Sequence, residues 1–528
     1  MSEKQFYTAI TIGPISETMS LTSSPAGLWC SSYMFSLTAK LLIRELVKAG
    51  VPDTEFVSPY FELDKLGSVV LPANEGDLSQ KMHNRGVGLF HDHIIIRGSH
   101  ADKAALAIEN VKTALSDLLN ADREWLSDFL RIYGFVDAVA VSEGPLTVLG
   151  TKLSALELEP QFPARETENP LLKLFANISN DPESGGYAND AVRNSNLLAG
   201  LSSKNDWILY RSAQSKCIRD LPDIARGNLS EKCKAGSYYA ILSSDGDSMS
   251  TILKELRTME DLRKYSRLCL EYCAKAADLV LRYSGMPIYA GGDDLLAVVP
   301  VVGMNPESGM AASIFGLMEC LRTLFNETFA KYRDTHDGKP TLSFGVSIQY
   351  VKSPLYEALE CAEALLHEAK YGDGENSRKN GVRLNLRKHS GQSVKIALNG
   401  LDDNGLLSAY EAQILDIMKD SAEADKNTEK ERMFLASAGY QFENFRSLFI
   451  SALKAEDDCF LENLFDNVFD HTEQKKFRPF LNQLLGTAKQ LKHIAKVQEK
   501  DAEYAYKQLT SYVRFLHFML EKGEREDA

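Results

Sequence analysis

Two apolar runs that both end in carboxylates, with one helical stretch between them, constrain this chain more than any other feature. "SYYAILSSDGDSMS" (237–250) reads as a strand running into a turn. "MPIYAGGDDLLAVVP" (286–300) reads as a hairpin with two glycines and two aspartates at its tip. A helical region over about 250–284 joins them. A helix at 308–332, the strand "TLSFGVSIQYV" (341–351), the helix "PLYEALECAEALLHEAKYG" (354–372) and the strand "GVRLNL" (381–386) follow. This succession predicts a βαββαβ unit of ferredoxin-like type. In such a unit the first and second strands run parallel and the third lies between them. The end of the first strand, with Asp245 and Asp247, then falls beside the turn that carries Asp293 and Asp294.

A carboxylate cluster left bare is costly, because two like charges about 4 Å apart repel by ~4 kcal/mol at an effective dielectric near 20. Either protons stay on, or divalent cations sit between the groups. Hard oxygen ligands suit Mg²⁺ or Mn²⁺, especially where triphosphate oxygens complete the shell. Metal ions so held lower the pKa of an attacking hydroxyl and stabilise a leaving pyrophosphate. Candidate metal ligands are therefore Asp245, Asp247, Asp293 and Asp294, with Asp293 and Asp294 as the catalytic pair. Gly291, Gly292, Ser244 and Gly246 are the candidates for close approach to a nucleotide. Lys370 at a helix end, and Arg378 and Lys379 in a polar loop, are cations placed to meet a triphosphate. Each segment alone also reads plainly: "GGDD" as a hairpin turn, "SSDGDS" as a helix cap, Lys370 as charge at a helix C-terminus. Their joint appearance at the positions the topology predicts favours the site.

The remainder is read by pattern. "FYTAITIGP" (6–14) is a strand, "LWCSSYMFSLTAKLLIRELVKAG" (28–50) a helix, "GVGLFHDHIIIRGS" (86–99) a strand, 101–131 a helix and "FVDAVAVSE" (135–143) a strand. This predicts a first βαββαβ-type domain over 1–145, then a mostly helical region with polar loops over 146–235. The second such domain spans 236–398, and a helical bundle of amphipathic segments spans 399–528. The fold class is α+β. A formal net charge of −14 argues against an isolated chain that grips nucleic acid, since phosphate binding favours a basic balance. No apolar run approaches the roughly 20 residues that span a bilayer, and "MSEKQFYTAITIG" carries no secretory pattern. The expectation is a cytoplasmic protein without a membrane partner. Eight cysteines include no C-x-x-C pair and are expected to be buried and reduced.

Taken together, "YYAILSSDGDSM", "YAGGDDLLAVVP" and "FGVSIQYVKSPLYEALECAEALLHEAK" resemble the polymerase/cyclase palm of the large subunit of type III CRISPR effectors, of the Cmr type. "TAITIGPISE" followed by "LWCSSYMFSLTAKLL" is similar to the opening of that family's first palm. The resemblance implies two palms sharing an ATP pocket, with the second palm catalytic. Asp245, Asp293 and Asp294 then take the metal-binding and catalytic roles, and Asp247 is a weaker candidate. It implies transfer of an adenylyl group from ATP to an acceptor hydroxyl with pyrophosphate release, inside a complex with crRNA, target RNA and other subunits. The product is a cyclic oligoadenylate or a conjugate with S-adenosylmethionine. The family's HD nuclease domain is not expected, since the first palm strand starts near residue 6, and "HDH" (91–93) is expected to be structural. The family's zinc ribbon is expected to be degenerate, with only Cys217 and Cys233 left and no zinc. A diguanylate-cyclase-like enzyme, or a non-catalytic scaffold, are the alternative readings.

Overall fold

The computed structural model describes residues 3–20, 22, 24–63, 69–70, 87–119, 123, 126, 130–157, 220–229, 233–372, 379–400, 405–423, 425–469 and 477–521. Most of the expected 146–235 region, including Cys217, lies outside these residues, as does Arg378.

The first α/β unit is built from β1 (Lys4–Gly13), α1 (Pro25–Lys48), β2 (Phe56–Ser58), β3 (Ile94–Arg97), α2 (Ala101–Leu119) and β4 (Arg131–Ala140), with α3 (Pro145–Glu157) after it. Its sheet runs β2-β3-β1-β4, the ferredoxin-like order. Helix α1 starts where Ser24 accepts a hydrogen bond from the Gly27 amide and Pro25 opens the first turn. The second strand is the one that the periodicity did not single out. At three residues, "FVS" is too short to show an alternation. The last strand starts at Arg131, four residues before the expected one.

The second unit comprises β5 (Tyr238–Asp247), α4 (Met259–Arg282), β6 (Met286–Gly291), β7 (Asp294–Pro300), α5 (Ile314–Thr328), β8 (Thr341–Tyr350), α6 (Leu355–Tyr371), β9 (Val382–Arg387) and β10 (Ser393–Leu398). The sheet order is β10-β9-β8-β5-β7-β6. The four strands β8-β5-β7-β6 at one side of it repeat the order of the first sheet, and β9 joins parallel to β8. The helix expected from 308 instead follows a small antiparallel pair, Val302–Met304 with Ala311–Ser313. Ser313 then caps α5 through the Phe315 amide.

Alternate residues of β5 serve two cores. Tyr239 and Ile241, with Ile288, Leu296 and Val298, pack toward the first unit and its α1 residues Leu28 and Trp29. Tyr238, Ala240 and Leu242, with Leu295, Ala297 and Val299, pack toward α4, α5 and the C-terminal helices. Those helices are α7 (Leu406–Glu423), α8 (Asp425–Asn444), α9 (Arg446–Lys454), α10 (Cys459–Phe469), α11 (Arg478–Val497) and α12 (Ala502–Met519). The amphipathic segments expected from the sequence fall in α7, α9, α11 and α12, whereas the charge run "EADKNTEKER" (423–432), which reads as a solvated loop, lies largely in α8. The bundle grips the second unit through Glu411, which accepts from the amides of Ser313 and Gly316 at the start of α5. Among the described residues, no helix is long and apolar enough to cross a membrane.

Candidate active site

The ferredoxin-like order brings together what the sequence separates. Strand β5 lies next to β7, with Ser244 opposite Leu295, and Gly291 and Asp294 close the β6–β7 turn. Oxygens of Asp245, Asp293 and Asp294 all lie within 4.8 Å of one another. Asp245 and Asp293 are half-buried, while Asp294 is exposed along the cleft that the two units share. Protein mass around Asp293 and Asp294, and then the neighbouring Asp245 charge, hold both carboxyls well above the usual carboxylate range.

One cation is already in place. Lys370, in the last turn of α6 and buried, closes an ion pair with Asp245 and donates to the Gly246 carbonyl at 3.2 Å. Burial acts to lower the Lys370 pKa, but the Asp245 charge outweighs it and the ammonium is held above its ordinary value. Gly246 is required by a close approach. An ideal Cβ there would stand 2.5 Å from Asp293 Oδ2 and 2.9 Å from Met249 Cγ. Gly292 takes a positive φ of 69° at the turn, with open space beside it. Its carbonyl accepts from the buried Cys273 thiol of α4 at 3.2 Å. Cys273 and Cys269 are both buried thiols, and burial pushes the Cys273 pKa up.

The other candidates separate. Asp247 stands apart from the three-carboxylate group. Fully buried, its Oδ2 accepts from Thr341 Oγ1 at 2.8 Å, Ser343 Oγ at 2.8 Å and the Asn380 amide at 2.7 Å. This ties the end of β5 to β8 and to the segment before β9, so the expectation of a fourth metal ligand gives way to a structural anchor. Ser244 is buried at the cleft lining. Lys379 is half-buried and makes no ion pair among the described residues. Cys233 donates to the Met519 carbonyl at 3.4 Å.

The cleft itself, about 500 Å³, is walled by both units. Thr11, Gly13, Asp92, Arg131, Tyr133 and Glu157 come from the first unit, and Ser243, Asp245, Tyr289, Asp294 and Glu363 from the second. On the first unit's wall, Asp92, His93 and Glu157 form a group whose ligand atoms lie within 4.8 Å of one another. His93 Nε2 meets Glu157 at 2.7 Å. The expectation that "HDH" is structural therefore divides. His91 is structural, bonded to Ser58 Oγ at 2.8 Å, and burial lowers its pKa to about 3. Asp92 faces the cleft. Glu157, 64 residues beyond His93, carries no local signal that could have paired them.

The donor set of the three-carboxylate group consists of hard oxygens, and it fits Mg²⁺ or Mn²⁺ rather than a thiophilic ion.

Comparison with known proteins places both α/β units beside described domains. Residues 238–380 match the family model described as Cas10/Cmr2, second palm domain. Residues 7–121 match the model of CRISPR-associated protein Cmr2, N-terminal. The CRISPR system Cmr subunit Cmr2 of Pyrococcus furiosus is 28% identical over 209 residues, which is 35% of this chain and 22% of that protein. The match thus spans about a fifth of that relative's length. Among solved structures, a type III-B Cmr-beta bound to cognate target RNA is 11% identical with a TM-score of 0.53, over 88% of this chain and 78% of that one. A Csm1–Csm4 cassette in complex with one ATP is 12% identical with a TM-score of 0.52, over 98% of this chain and 70% of that one. These structural likenesses establish the palm-domain fold. Both Cmr2-type domain matches lie in order along one chain, and the second encloses Asp245, Asp293, Asp294 and Lys370, so the chain is similar to Cas10/Cmr2 subunits in both of its α/β units.

Proposed function

We propose that the cleft between the two palms transfers an adenylyl group from ATP to an acceptor hydroxyl and releases pyrophosphate. The observation that carries this reading is the convergence of Asp245, Asp293 and Asp294 from two strands, with the Lys370 ammonium beside them, in a cavity large enough for nucleotides. Asp245, Asp293 and Asp294 would hold Mg²⁺ or Mn²⁺. A bound divalent ion supplies charge neutralisation for the triphosphate and acidifies the attacking hydroxyl.

The chain's own groups do the rest. Lys370, in reach of the same site, receives charge that develops on the leaving pyrophosphate. Asp294, the carboxylate most open to the cleft, takes the proton from the acceptor hydroxyl. The new bond joins the acceptor oxygen to the α-phosphorus, and the bond to the bridging oxygen breaks with its electron pair on pyrophosphate.

In this reading the chain works inside a type III complex with crRNA, is switched on by matching RNA, and makes an adenylate messenger. The acceptor is a hydroxyl of a second ATP, giving oligoadenylates, or that of S-adenosylmethionine, giving a linear conjugate. The test is to assemble the complex and supply matching RNA, ATP and Mg²⁺ or Mn²⁺, with and without S-adenosylmethionine, and identify products by mass spectrometry. Pyrophosphate release that survives Asp293→Ala combined with Asp294→Ala overturns the assignment. Products from GTP alone would point to a diguanylate-cyclase-like enzyme, and no product at all to a scaffold.

A further inference from the structure

Strand β6 is not regular. Pro287 lies opposite Ala297 and Tyr289 opposite Leu296, so Ile288 between them has no partner of its own. Such a bulge re-aims the side chains beside it. In an unbroken strand Ile288 and Tyr289 would point to opposite faces. Here both lie on the face turned to the first palm, and Ala290 on the other. The bulge thereby delivers the Tyr289 ring to the wall of the cleft. Gly291 makes room for it, since an ideal Cβ there would stand 2.5 Å from the Tyr289 hydroxyl and 2.8 Å from Cζ.

Tyr289 lines the same cleft as Asp92 of the first palm and Asp294 of the second. Asp92 on the first palm and Asp294 on the second both act electrostatically on it, and burial is the largest influence holding its pKa up. It therefore keeps its proton. A half-buried tyrosine hydroxyl ordinarily finds a partner. Those of the fully buried Tyr283 and Tyr512 donate to the Val301 carbonyl at 3.2 Å and the Tyr410 carbonyl at 2.9 Å, whereas those of the buried Tyr239, Tyr272 and Tyr410 have no partner among the described residues. Among the described residues the Tyr289 hydroxyl has none either, and Tyr289 differs from those three in lining the cleft.

We propose that Tyr289 is the positioning residue for the acceptor, holding the attacking hydroxyl by a hydrogen bond in the gap between the Asp92 wall and the Asp294 wall. This rests on the nucleotidyl-transfer reading. Tyr289 does not exchange a proton in the step. The acceptor's proton leaves to Asp294, and the α-phosphorus trades its bridging oxygen for the acceptor oxygen. An acceptor held badly leaves the α-phosphorus open to water, which yields AMP and pyrophosphate in place of the conjugate.

The test is Tyr289→Phe, which keeps the ring and removes only the hydroxyl, in the assembled complex with matching RNA. Two quantities are read: the ratio of transfer product to AMP, from labelled ATP with and without S-adenosylmethionine, and the dissociation constant of α,β-methylene-ATP with Mn²⁺. The expected result is a transfer rate lowered about tenfold, the loss of one hydrogen bond, with a rising share of AMP and nucleotide affinity within about twofold of wild type. Unchanged transfer overturns the proposal. So does a loss of nucleotide affinity as large as the loss of rate, because that would place Tyr289 on the ATP side or in a purely structural role. Wild-type complex that releases no pyrophosphate overturns the transfer reading itself and this proposal with it, a result separable because it involves no variant.

Discussion

Lys370 closes an ion pair with Asp245 across the gap between the last turn of α6 and the end of β5. Both ends of that pair come from the second palm, and the pair lies where the three carboxylates meet. Replacing Lys370 with Met leaves the Asp245 charge without its counter-ion. Breaking a mostly buried pair from one side costs about 3–5 kcal/mol, and partial exposure of Asp245 puts the expectation at the low end. Denaturant unfolding of metal-free Lys370→Met should show that loss, and saturating Mg²⁺ should restore part of it.

Asp293→Asn and Asp294→Asn each remove one carboxylate from the cluster while keeping its shape. Pyrophosphate release should fall by about 100-fold or more for either. The same substitutions relieve like-charge repulsion, so melting temperatures without metal should rise or hold, not fall. A variant that loses activity together with its fold would not fit this site.

Gly246→Ala tests the packing beneath the cluster. The added methyl meets Asp293 Oδ2 at 2.5 Å and Asp293 Cβ at 3.0 Å, so the Asp293 side chain must shift. Nucleotidyl transfer should drop at least about tenfold, because small misplacements at a reacting centre are expensive. Mn²⁺ affinity, read by electron paramagnetic resonance, should fall alongside it.

The raised carboxyls of Asp293 and Asp294 set a pH dependence with a definite sign. In the unfolded chain these groups titrate near 4, whereas burial and the Asp245 charge raise Asp293 to about 8 in the folded protein. Between those values the folded state binds more protons than the unfolded one. Their contribution to stability is therefore fully present below about pH 4 and is lost as pH rises through the folded value. Thermal melts of metal-free protein from about pH 5 to pH 8 should show the decline, and Asp293→Asn should flatten it.

Arg263 donates to the carbonyls of Asp53 at 2.6 Å and Phe56 at 2.8 Å and lies over the Tyr60 ring at 5.3 Å. Arg263→Ala should cost about 1–3 kcal/mol, since two carbonyls lose a charged donor. Equilibrium unfolding followed by far-ultraviolet circular dichroism should show it.

The second palm was legible because its strands are long and apolar and its turns carry their chemistry in four-residue signatures. Asp245 and the "GGDD" pair could be joined from topology alone. The first palm was less so. Three-residue β2 has no period to read, and the strand at 94–97 is preceded by apolar residues that are buried without being paired. Asp247 shows the limit at the site. Its neighbour two positions back belongs to the cluster, but Thr341, Ser343 and Asn380, which claim Asp247, lie some 94 to 133 residues away. Glu157 and Tyr289 were missed for related reasons, one a distant partner and the other turned by a bulge that leaves no mark in composition.

Helix α4 carries Arg263 near its start and Cys273 ten residues on, about 15 Å along one rod. The first clasps the carbonyls of the first palm, and the second the carbonyl at the tip of the hairpin. One unbroken helix therefore ties the backbone of the first palm to the turn before Asp293 and Asp294. The carboxylate cluster is thus held in register with a domain that contributes none of its three aspartates.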